Sequence, residues 1–500
     1  MTKYDAIIIG AGLGGLVAGA KLAKEGKKIL LIEQHNIPGG CATNFKRVGS
    51  SMDVGLHALD GMDDGDLKKE IFDELKVFGN VEFAKLPEFY RFVNERFDIV
   101  IPDNYKEAEK ILISNFPKEK SGIKKFFSTI LNYRKELKRM PTTGIKLYLQ
   151  LPLFPLLYPG IVLTMKKTVE QFLDEITKND DLKLILAANI GYYHDNPTTM
   201  AYSYFAIAQA SYYSGGGHYV KGGSQKLSDY FAKFIKDNGG EVLLSHKVIK
   251  ILTENNKAVG IEYKKMSGDG IDRAYGINII ANAAIPNVVN NLLPKELNAG
   301  MKTKINKMEI AHSILSIYLF FKKPVKELGN KYYSTFVANP NVYTLKDVNF
   351  HVDHKDRGFT FVDYSQIDSQ LAAPGKGVGV ITTLDYLDQW KELSETGYKN
   401  KKNEVAQIYI KRLNKLIPGI KDQIEYYEVG TPKTIERYTM NPQGAVYGFA
   451  QIPSQAGIKR MSQKSSIENL YFASAWTMPG GGFTGAMLSG WFCANKILKQ

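Results

Sequence analysis

The chain has 500 residues, 44% of them hydrophobic and 23% charged, which excludes a disordered protein and predicts two or three lobes rather than a single core. Its two cysteines, Cys41 and Cys493, cannot form a disulfide framework and fit a reducing compartment. The net charge of +14 is spread along the chain without a compact basic tract, so nucleic acid is not expected as a partner, whereas an anionic membrane surface is compatible with it.

Residues 4–33 predict a dinucleotide-binding unit: an apolar strand, a glycine-rich turn, a helix and a second apolar strand that ends at Glu33. Gly10 permits the tight turn, Gly12 lets a pyrophosphate approach the backbone, and Gly15 lets the helix pack against the strand. Glu33 can accept a hydrogen bond from a ribose 2′-hydroxyl, which favours FAD or NAD over a cofactor with a phosphorylated ribose. The cofactor contacts predicted here are Gly10, Gly12, Leu13, Gly14, Gly15, Glu33 and Gln34. Because the first strand begins after three residues, no signal peptide fits and a cytoplasmic protein is expected.

Two more glycine-containing segments follow, Pro38-Gly39-Gly40-Cys41-Ala42-Thr43 and Asp53-Val54-Gly55-Leu56-His57. With them the sequence resembles the FAD-dependent carotenoid and retinoid oxidoreductases, a group of phytoene desaturases, carotenoid isomerases and retinol saturases. It is most similar to the branch that contains the isomerases and saturases. The resemblance implies bound FAD, with further contacts from Gly39, Gly40, Cys41, Arg47 and Gly55.

Residues 63–213 predict an inserted substrate lobe. It should contain a hairpin formed by 89–93 and 97–101, and helices over 65–78, 105–116, 120–140 and 168–176. Thr168 and Gln171 are placed as a capping box at the start of the last helix. In the stretch 141–167, leucines crowd between prolines, so a straight membrane span is not expected. Two interpretations are open: a patch that dips into the inner face of a membrane with flanking lysines on headgroups, or a buried connector between lobes. The aromatic helix expected over 198–213 is either the wall of a tunnel for a long apolar substrate or ordinary core packing.

Residues 214–309 predict the return of the cofactor domain. The expected elements are a helix with Ser224 as its N-cap, a hairpin of 241–252 with 258–264 around Asn255-Asn256, and a strand over 277–281. By resemblance, Val248, Asn282 and Ala283 face the cofactor. Residues 310–428 predict a substrate-domain sheet with strands over 310–321, 359–362 and 378–384 and a helix over 403–416.

Residues 429–500 predict the third part of the cofactor domain, with a strand over 470–473 and a helix over 487–498 after a glycine cluster. The segment from Arg437 to Gly448 resembles the late motif of the same family. The resemblance places five residues against the flavin ring and ribityl chain: Ser474, Gly481, Gly482, Phe483 and Thr484. Relatives have a glycine followed by an acid or amide where Ser474-Ala475 stand here.

The predicted fold is therefore α/β. A Rossmann-type FAD-binding domain of the glutathione-reductase-like or amine-oxidase-like kind comprises residues 1–62, 214–309 and 429–500. It is interleaved with an α+β substrate domain and a helical lobe. This lobe contains the stretch 141–167, which is either a membrane-contacting patch or a buried connector.

Flavin performs the difficult chemical step, so the protein needs an aligned substrate in a dry pocket more than an acid–base pair. No Ser/His/Asp constellation is visible in the sequence, and no metal is expected because His57, His194 and His218 are isolated from one another. His57 either handles a proton near the flavin or is a structural histidine. Tyr447 and Trp476 are further candidates that shape the pocket beside the flavin.

The sequence thus predicts an FAD-dependent oxidoreductase that saturates, desaturates or isomerises carbon–carbon double bonds of a long apolar isoprenoid, polyene or lipid. One alternative is an amine-oxidase-like flavoprotein with an aromatic cage near Trp476; the other is a flavin-containing lipid-binding protein without catalysis. No second dinucleotide unit is visible, which leaves NAD(P)H as a transient electron donor or acceptor.

Overall fold

The computed structural model describes residues 3–141 and 149–500 of the chain. Its strands are, in chain order, β1 Lys3–Ile9, β2 Ile29–Ile32, β3 Asn44–Arg47, β4 Ser50–Asp53, β5 Leu59–Asp60, β6 Phe83–Lys85, β7 Tyr90–Val93, β8 Asp98–Ile101, β9 Gly217–Val220, β10 Glu241–Leu243, β11 His246–Glu254, β12 Lys257–Lys265, β13 Ile271–Ala281, β14 Ser313–Phe321, β15 Ser334–Val337, β16 Phe359–Asp363, β17 Gly377–Asp385, β18 Ile424–Gly430 and β19 Leu470–Phe472.

The longer helices are α1 Leu13–Lys24, α2 Leu67–Glu74, α3 Tyr105–Asn115, α4 Lys120–Arg139, α5 Val169–Ile176, α6 Asp180–Leu186, α7 Tyr202–Gly215, α8 Ser224–Asp237, α9 Lys295–Ile305, α10 Glu395–Leu416, α11 Pro432–Thr439 and α12 Gly482–Leu498. Shorter helical turns are Pro117–Glu119, Leu151–Leu153, Phe154–Leu157, Pro159–Thr164, Ile190–Tyr192, Ile285–Asn287, Val288–Leu292, Val325–Leu328, Leu345–Asp347, Tyr364–Gln366, Asp388–Lys391, Ile420–Gln423, Pro442–Gly444 and Gly457–Lys459.

The first sheet organises the cofactor domain. Its strands lie in the order β10-β2-β1-β13-β12-β11, and β19 also pairs with β13. The strands β10, β2, β1, β13 and β19 run parallel, whereas β11, β12 and β13 pair antiparallel. Parallel strands end at one edge of a sheet, and ligands of α/β proteins bind outside that edge. The residues that follow four of these strands are Gly10, Glu33, Asn282 and Ala473.

The two ends of the chain meet in this domain. Helix α1 follows β1 and packs against α12 of the C-terminal segment. A Cβ atom on Gly490 would lie 2.1 Å from the carbonyl oxygen of Gly14, so the helices approach as closely as they do because both residues lack side chains. The first sixty residues and the last twenty therefore share one core.

The second sheet has the order β18-β14-β17-β16-β15-β7-β8. The predicted hairpin of β7 with β8 is confirmed, but β7 pairs in parallel with β15. The substrate sheet therefore contains strands from the inserted lobe as well as from the region 310–428. Helix α10 covers one face of the sheet, with Tyr409 and Leu413 in the shared core.

Three local expectations are wrong. The strand expected over 241–252 is interrupted because Ser245 has a φ of +58°, which turns the chain between β10 and β11. Ser224 is the first residue of α8 rather than its N-cap; Gly223 takes that position, and the N–H of Ser224 is bound by the distant carboxylate of Asp53. Helix α12 begins at Gly482, not at residue 487, because the glycines before it serve as its start. The capping box of Thr168 with Gln171 and the hairpin turn at Asn255-Asn256 are confirmed.

The proline-rich stretch 141–167 falls partly outside the described residues, which omit 142–148. From Leu149 onward it forms short helical turns, and four leucines on them have exposed fractions of 70% (Leu149), 51% (Leu153), 78% (Leu156) and 71% (Leu163). This exposure does not fit a buried connector. Among the described residues, none of the helices has both the length and the hydropathy required to cross a bilayer.

Candidate active site

The glycine-rich turn after β1 leaves no room for side chains. Gly12 is the N-cap of α1, and no side chain caps the first N–H groups of this helix. A Cβ atom on Gly12 would lie 2.7 Å from Nδ2 of Asn282, whose backbone stands at the end of β13 next to Ala283. Free N–H groups at a helix start, in a turn without side chains, fit the pyrophosphate of a dinucleotide.

Glu33 stands at the end of β2 and points at this turn. Its Oε2 accepts a hydrogen bond from the N–H of Ala11 at 2.7 Å, and its Oε1 accepts one from the N–H of His35 at 2.9 Å. The carboxylate is 7% exposed, so its position is fixed where a ribose hydroxyl would reach it. Of the other predicted contacts near it, Leu13 and Val248 are buried and Gln34 is half-buried.

The second glycine pair lies directly on the first turn. The N–H of Gly39 donates to the carbonyl oxygen of Ala11 at 2.7 Å, and Gly39 forms a bridge with Gly12. Gly39 and Gly40 have φ values of +127° and +62°, which favour glycine. Cys41 follows, with its carbonyl oxygen close to Gly55. Part of the Cys41 side chain stays accessible, yet the surrounding protein raises the pKa of its thiol to about 11, so the thiol is protonated and weakly reactive at neutral pH.

Arg47 lies away from this site, which does not support the contact implied by resemblance. It ends β3 on the surface, where its Nη2 is 3.5 Å from Oε2 of Glu428 and its guanidinium packs over the ring of Phe45. The side chain is 45% exposed. Arg47 and its neighbour Lys46 are both exposed at the end of β3.

The C-terminal glycines meet the N-terminal segment from the other side. A Cβ atom on Gly481 would lie 2.6 Å from Cα and 2.8 Å from Cβ of Tyr447, so the tyrosine rests on this glycine. Thr484, in the first turn of α12, donates from its hydroxyl to Oδ1 of Asp60 at 2.6 Å. Ser474, just after β19, is buried, and its Oγ accepts a hydrogen bond from the N–H of Trp476 at 3.3 Å.

A cavity of about 1370 Å³ opens between these glycines and the two substrate lobes. Most of its wall is apolar or aromatic. From helix α7, Tyr204, Ile207 and Ala208 line it, whereas Tyr202 and Phe205 on the same helix are buried in the lobe core. One face of this helix therefore lines the cavity, and the other belongs to ordinary core packing. At its outer end, the wall is formed by residues of the exposed stretch, namely Phe154, Ile161, Val162 and Met165, together with Ile458.

Four charged residues of the cavity wall, Asp60, Asp66, Lys68 and Arg134, are paired in one network. Lys68, fully buried, has its Nζ 3.6 Å from Oδ1 of Asp66 and 3.9 Å from Oδ1 of Asp60. Arg134 contacts Asp63 at 2.5 Å and Asp66 at 3.1 Å. Burial alone would raise the pKa of Asp60, but Lys68 and the hydroxyl of Thr484 outweigh it and lower that pKa. Sequence reasoning missed this network; the recurrence of aspartate every third residue from Asp60 to Asp66 was the available signal.

His57 lines the cavity and is held at both ring nitrogens. Its Nδ1 is 3.0 Å from the hydroxyl of Tyr192, and its Nε2 is 3.3 Å from Oγ1 of Thr382. Burial lowers its pKa to about 4, so the ring is neutral at pH 7. A neutral imidazole fixed by two hydroxyls is a weak base and serves as a polar, hydrogen-bonding part of the wall.

Trp476 does not belong to the described cavity wall. It is 2% exposed, and its ring meets the ring of Phe449 edge-on at 4.9 Å. Trp476 therefore fills the protein core just after β19 and does not line the cavity. This placement supports neither a catalytic role for Trp476 nor the aromatic cage on which the amine-oxidase alternative depended.

Arg460 shapes the backbone beside the glycine cluster. Its guanidinium donates to the carbonyl oxygens of Thr477, Phe449, Tyr447 and Ala475 at 2.8–3.1 Å, and it is 3% exposed. Burial lowers its pKa to about 10, which still leaves it charged. The segment that carries Tyr447 is thereby tied to the segment that leads to Gly481.

Comparison with known proteins places these features in a family. The model of a family described as flavin containing amine oxidoreductase matches residues 13–498. The chain belongs to this family. It is an FAD-dependent oxidoreductase, as the paired glycine turns and the carboxylate of Glu33 led us to expect.

Curated relatives align along nearly the whole chain. Prolycopene isomerase of Daucus carota is 29% identical, over 99% of this chain and 80% of the relative. All-trans-retinol 13,14-reductase of Danio rerio is 26% identical, over 99% of this chain and 86% of the relative. These are the branches that the glycine segments near residues 39 and 55 resemble.

Solved structures with the same fold include flavoprotein oxidases. Putrescine oxidase bound to putrescine superposes with a TM-score of 0.65 at 15% identity and covers 100% of both chains. An oxidoreductase from Methanosarcina mazei has a TM-score of 0.62 at 18% identity and covers 99% of this chain and 100% of its own. At these identities the likeness establishes the fold and confirms the predicted Rossmann-type class.

Proposed function

We propose that this oxidoreductase reduces or isomerises carbon–carbon double bonds of a long apolar polyene. The observation that carries the proposal is the cavity of about 1370 Å³, whose mostly apolar wall includes Tyr447 and His57 as well as Phe154, Ile161 and Val162 of the exposed stretch. Binding pockets for small molecules usually measure about 300–1,000 Å³, so this space suits a flavin ring together with an extended chain.

The pairing of Asp60, Asp66, Lys68 and Arg134 with one another favours an uncharged substrate at this part of the wall. Asp60 and Asp66 are balanced by Lys68 and Arg134, so a cationic amine would find no unpaired carboxylate among these groups. An uncharged polyene instead gains free energy by leaving water for an apolar wall. The relatives named as a prolycopene isomerase and a retinol reductase support the same substrate class.

The residues at the inner end have distinct roles in this proposal. Bound FAD supplies hydride transfer. The turns at Gly12, Gly39 and Gly481 would hold the cofactor by close backbone approach, and Glu33 would accept a hydrogen bond from a ribose hydroxyl. Tyr447 and the neutral ring of His57 close the wall and orient the polyene, while the apolar side chains around them exclude water. NADH or NADPH is the transient electron donor or acceptor in this proposal.

A purified, FAD-loaded sample tests the reaction. The flavin is reduced by light without oxygen and mixed with retinol, cis and trans carotenoids, unsaturated fatty acids or putrescine. Reoxidation of flavin with loss of a double bond, or a changed polyene spectrum while the flavin stays reduced, is expected for at least one polyene. Oxidation of putrescine by the oxidised enzyme, without reaction of any polyene, contradicts the proposal.

A pair of variants on helix α7 links that reaction to the cavity. Ile207→Trp fills the lumen, and overpacking of this kind costs about 1–3 kcal/mol, so we expect polyene turnover to fall about tenfold or more. FAD content should stay unchanged because Ile207 faces the substrate lobes. The control Ser214→Trp places the same ring on the exposed side of the helix and should leave turnover intact.

We also propose that the mouth of the cavity rests on a lipid surface. Leu156 and Leu163 are 78% and 71% exposed on the segment that contributes Phe154, Ile161 and Val162 to the cavity wall, and Ile458 of the wall itself is 80% exposed. Exposed apolar side chains around a pocket for an apolar molecule allow the substrate to enter without crossing water. Lys166 is exposed beside them and is placed to meet anionic headgroups.

Sedimentation with anionic vesicles at low salt tests this second proposal. The parent protein should pellet, and the double variant Leu156→Ser/Leu163→Ser should stay largely in the supernatant. Ile271→Ser removes an apolar side chain of similar exposure, 58%, from a strand elsewhere on the surface and should pellet like the parent. Failure of the parent to pellet, or pelleting of the double variant like the parent, contradicts membrane contact.

A further inference from the structure

A histidine–aspartate–histidine cluster lies behind the cavity wall. His194 and Asp195 follow the helical turn Ile190–Tyr192 of the inserted lobe, and His312 immediately precedes β14 of the substrate sheet. One side-chain ligand atom from each of the three lies within 4.8 Å of the other two. No metal site is expected from the sequence because His57, His194 and His218 are isolated from one another along the chain, but the fold brings His194 close to His312.

Three of the four ring nitrogens in this cluster lack hydrogen-bond partners although the rings are buried, and the fourth, Nε2 of His194, lies 3.0 Å from Oγ1 of Thr199. His194 is 1% exposed and His312 is 5% exposed. Neither ring nitrogen of His312 has a hydrogen-bond partner, and Nδ1 of His194 also has none. A buried polar group left unpaired costs about 1–3 kcal/mol, so such groups need an explanation.

Asp195 completes the set and is oriented by a second residue. Its Oδ1 lies 3.5 Å from Nε2 of His194, and its Oδ2 accepts a hydrogen bond from the hydroxyl of Tyr386 at 2.7 Å. Tyr386 is itself stacked on His351 with ring centroids 3.7 Å apart. A metal-binding carboxylate is usually held in this way by an outer hydrogen bond, which fixes the oxygen that faces the ion.

We propose that His194, Asp195 and His312 bind one divalent transition-metal ion, for which Zn²⁺ is the representative. Two neutral imidazoles and one carboxylate match the ligands that zinc takes in three-residue sites, which leave a fourth position open. Ligand atoms about 2.0–2.2 Å from the ion stand closer together than 4.8 Å, so the three side chains move inward when the ion binds.

The position of the cluster gives the ion a structural consequence. It joins the inserted lobe, through His194, to the substrate sheet, through His312, and the ring of His312 meets that of Tyr447 at 5.4 Å. An ion held here therefore stiffens the wall that carries Tyr447. The inference does not rest on the proposed substrate, because metal binding and stability are measured without turnover.

The FAD-loaded protein, stripped with a chelator and dialysed, is titrated with Zn²⁺ and with Co²⁺. We expect one equivalent of zinc per chain by elemental analysis, a higher thermal midpoint on saturation, and ligand-field absorption of Co²⁺ at wavelengths beyond the flavin bands. A parent protein that retains no stoichiometric zinc after titration overturns the proposal.

Variants assign the ligands. Asp195→Asn keeps the size of the side chain and should weaken zinc binding about tenfold or more, and Tyr386→Phe should weaken it by about tenfold through the outer shell. His312→Gln should abolish it. The matched control is His354→Gln, since His354 is 6% exposed and also has an unpaired ring nitrogen but lies outside the cluster. Equal zinc affinity in the parent and Asp195→Asn, or loss of zinc binding in His354→Gln alone, contradicts the assignment. If His312→Gln does not fold, the zinc affinity of Asp195→Asn decides the question.

Discussion

The carboxylate of Asp53 accepts a hydrogen bond from the backbone N–H of Ser224 at 2.6 Å, although the two residues belong to separate parts of the cofactor domain. The hydroxyl of Ser224 donates to the other oxygen of Asp53 at 3.1 Å. The N–H groups of Gly55 and Leu56 and the hydroxyl of Tyr219 donate to the same carboxylate. One buried side chain thus organises the start of α8 and the loop that leads to the cavity.

Replacement of Asp53 by asparagine should destabilise the protein strongly. All five groups that face this carboxylate are donors, and an amide NH₂ in place of one oxygen would leave some of them unsatisfied. Hydrogen bonds to charged groups are worth about 1.5–3 kcal/mol each, so we expect the free energy of unfolding to fall by about 3 kcal/mol. Urea unfolding of the FAD-loaded protein, followed by flavin fluorescence, measures it. The exposed Asp269→Asn should show no change, and an equal effect in both variants would disprove the special role of Asp53.

Gly14→Ala should disrupt the packing of the glycine-rich turn against the C-terminal segment at Ala473. A Cβ atom there would lie 2.2 Å from the carbonyl oxygen of Ala473, which is backbone and cannot step aside. Overpacking costs about 1–3 kcal/mol, and the shift of the turn should also lower FAD content in the purified protein. Gly300→Ala is the control, since nothing lies within 4 Å of its added Cβ in α9; it should stabilise the helix by about 0.5–1 kcal/mol.

Features that depend on neighbours in sequence were predictable. The first strand, its glycine turn and Glu33 follow from local backbone demands of dinucleotide binding, and the capping box at Thr168 follows from spacing alone. The hairpin at Asn255-Asn256 is predictable for the same reason, because asparagine tolerates positive φ. Each of these signals is contained within about thirty residues.

Features that depend on distant partners were not predictable. Ser224 suits an N-cap by residue type, but Gly223 is the N-cap of α8. The side chain that accepts from the N–H of Ser224 belongs to Asp53, in another segment. Trp476 follows a strand near the cofactor glycines, yet its ring packs edge-on against Phe449 in the core. Arg47 matches a position of the family motif, but its guanidinium lies 3.5 Å from Glu428, a residue far along the chain. Nothing in the spacing of His194 and His312 along the chain indicates that they meet.

Arg460→Lys should displace Tyr447. The planar guanidinium reaches four carbonyl oxygens at once, whereas an ammonium group offers three donors on a flexible stem and cannot reproduce that fork. We expect lower FAD content and a free energy of unfolding reduced by about 2–3 kcal/mol, since buried acceptors lose their partners. The exposed Arg437→Lys serves as the control and should match the parent. Normal FAD content and stability in Arg460→Lys would show that the fork is dispensable.

The pKa of His57 makes a pH-dependent contribution to stability. In the folded protein burial lowers this pKa to about 4 from 6.5 in an exposed histidine. Between these pH values the unfolded chain binds the proton more readily, so stability falls as the pH drops from 6.5 to 4 and is constant above 6.5. The difference corresponds to about 3 kcal/mol.

His57→Gln should therefore lose less stability on acidification than the parent. Urea unfolding of both proteins at a series of pH values measures the difference, and the comparison at about pH 8, where the imidazole is neutral in both states, isolates the loss of the hydrogen bonds to Tyr192 and Thr382. We expect the two stability curves to converge by up to about 3 kcal/mol between pH 6.5 and 4. Parallel curves over that interval would mean that the ring titrates normally and that the cavity wall around it is wet.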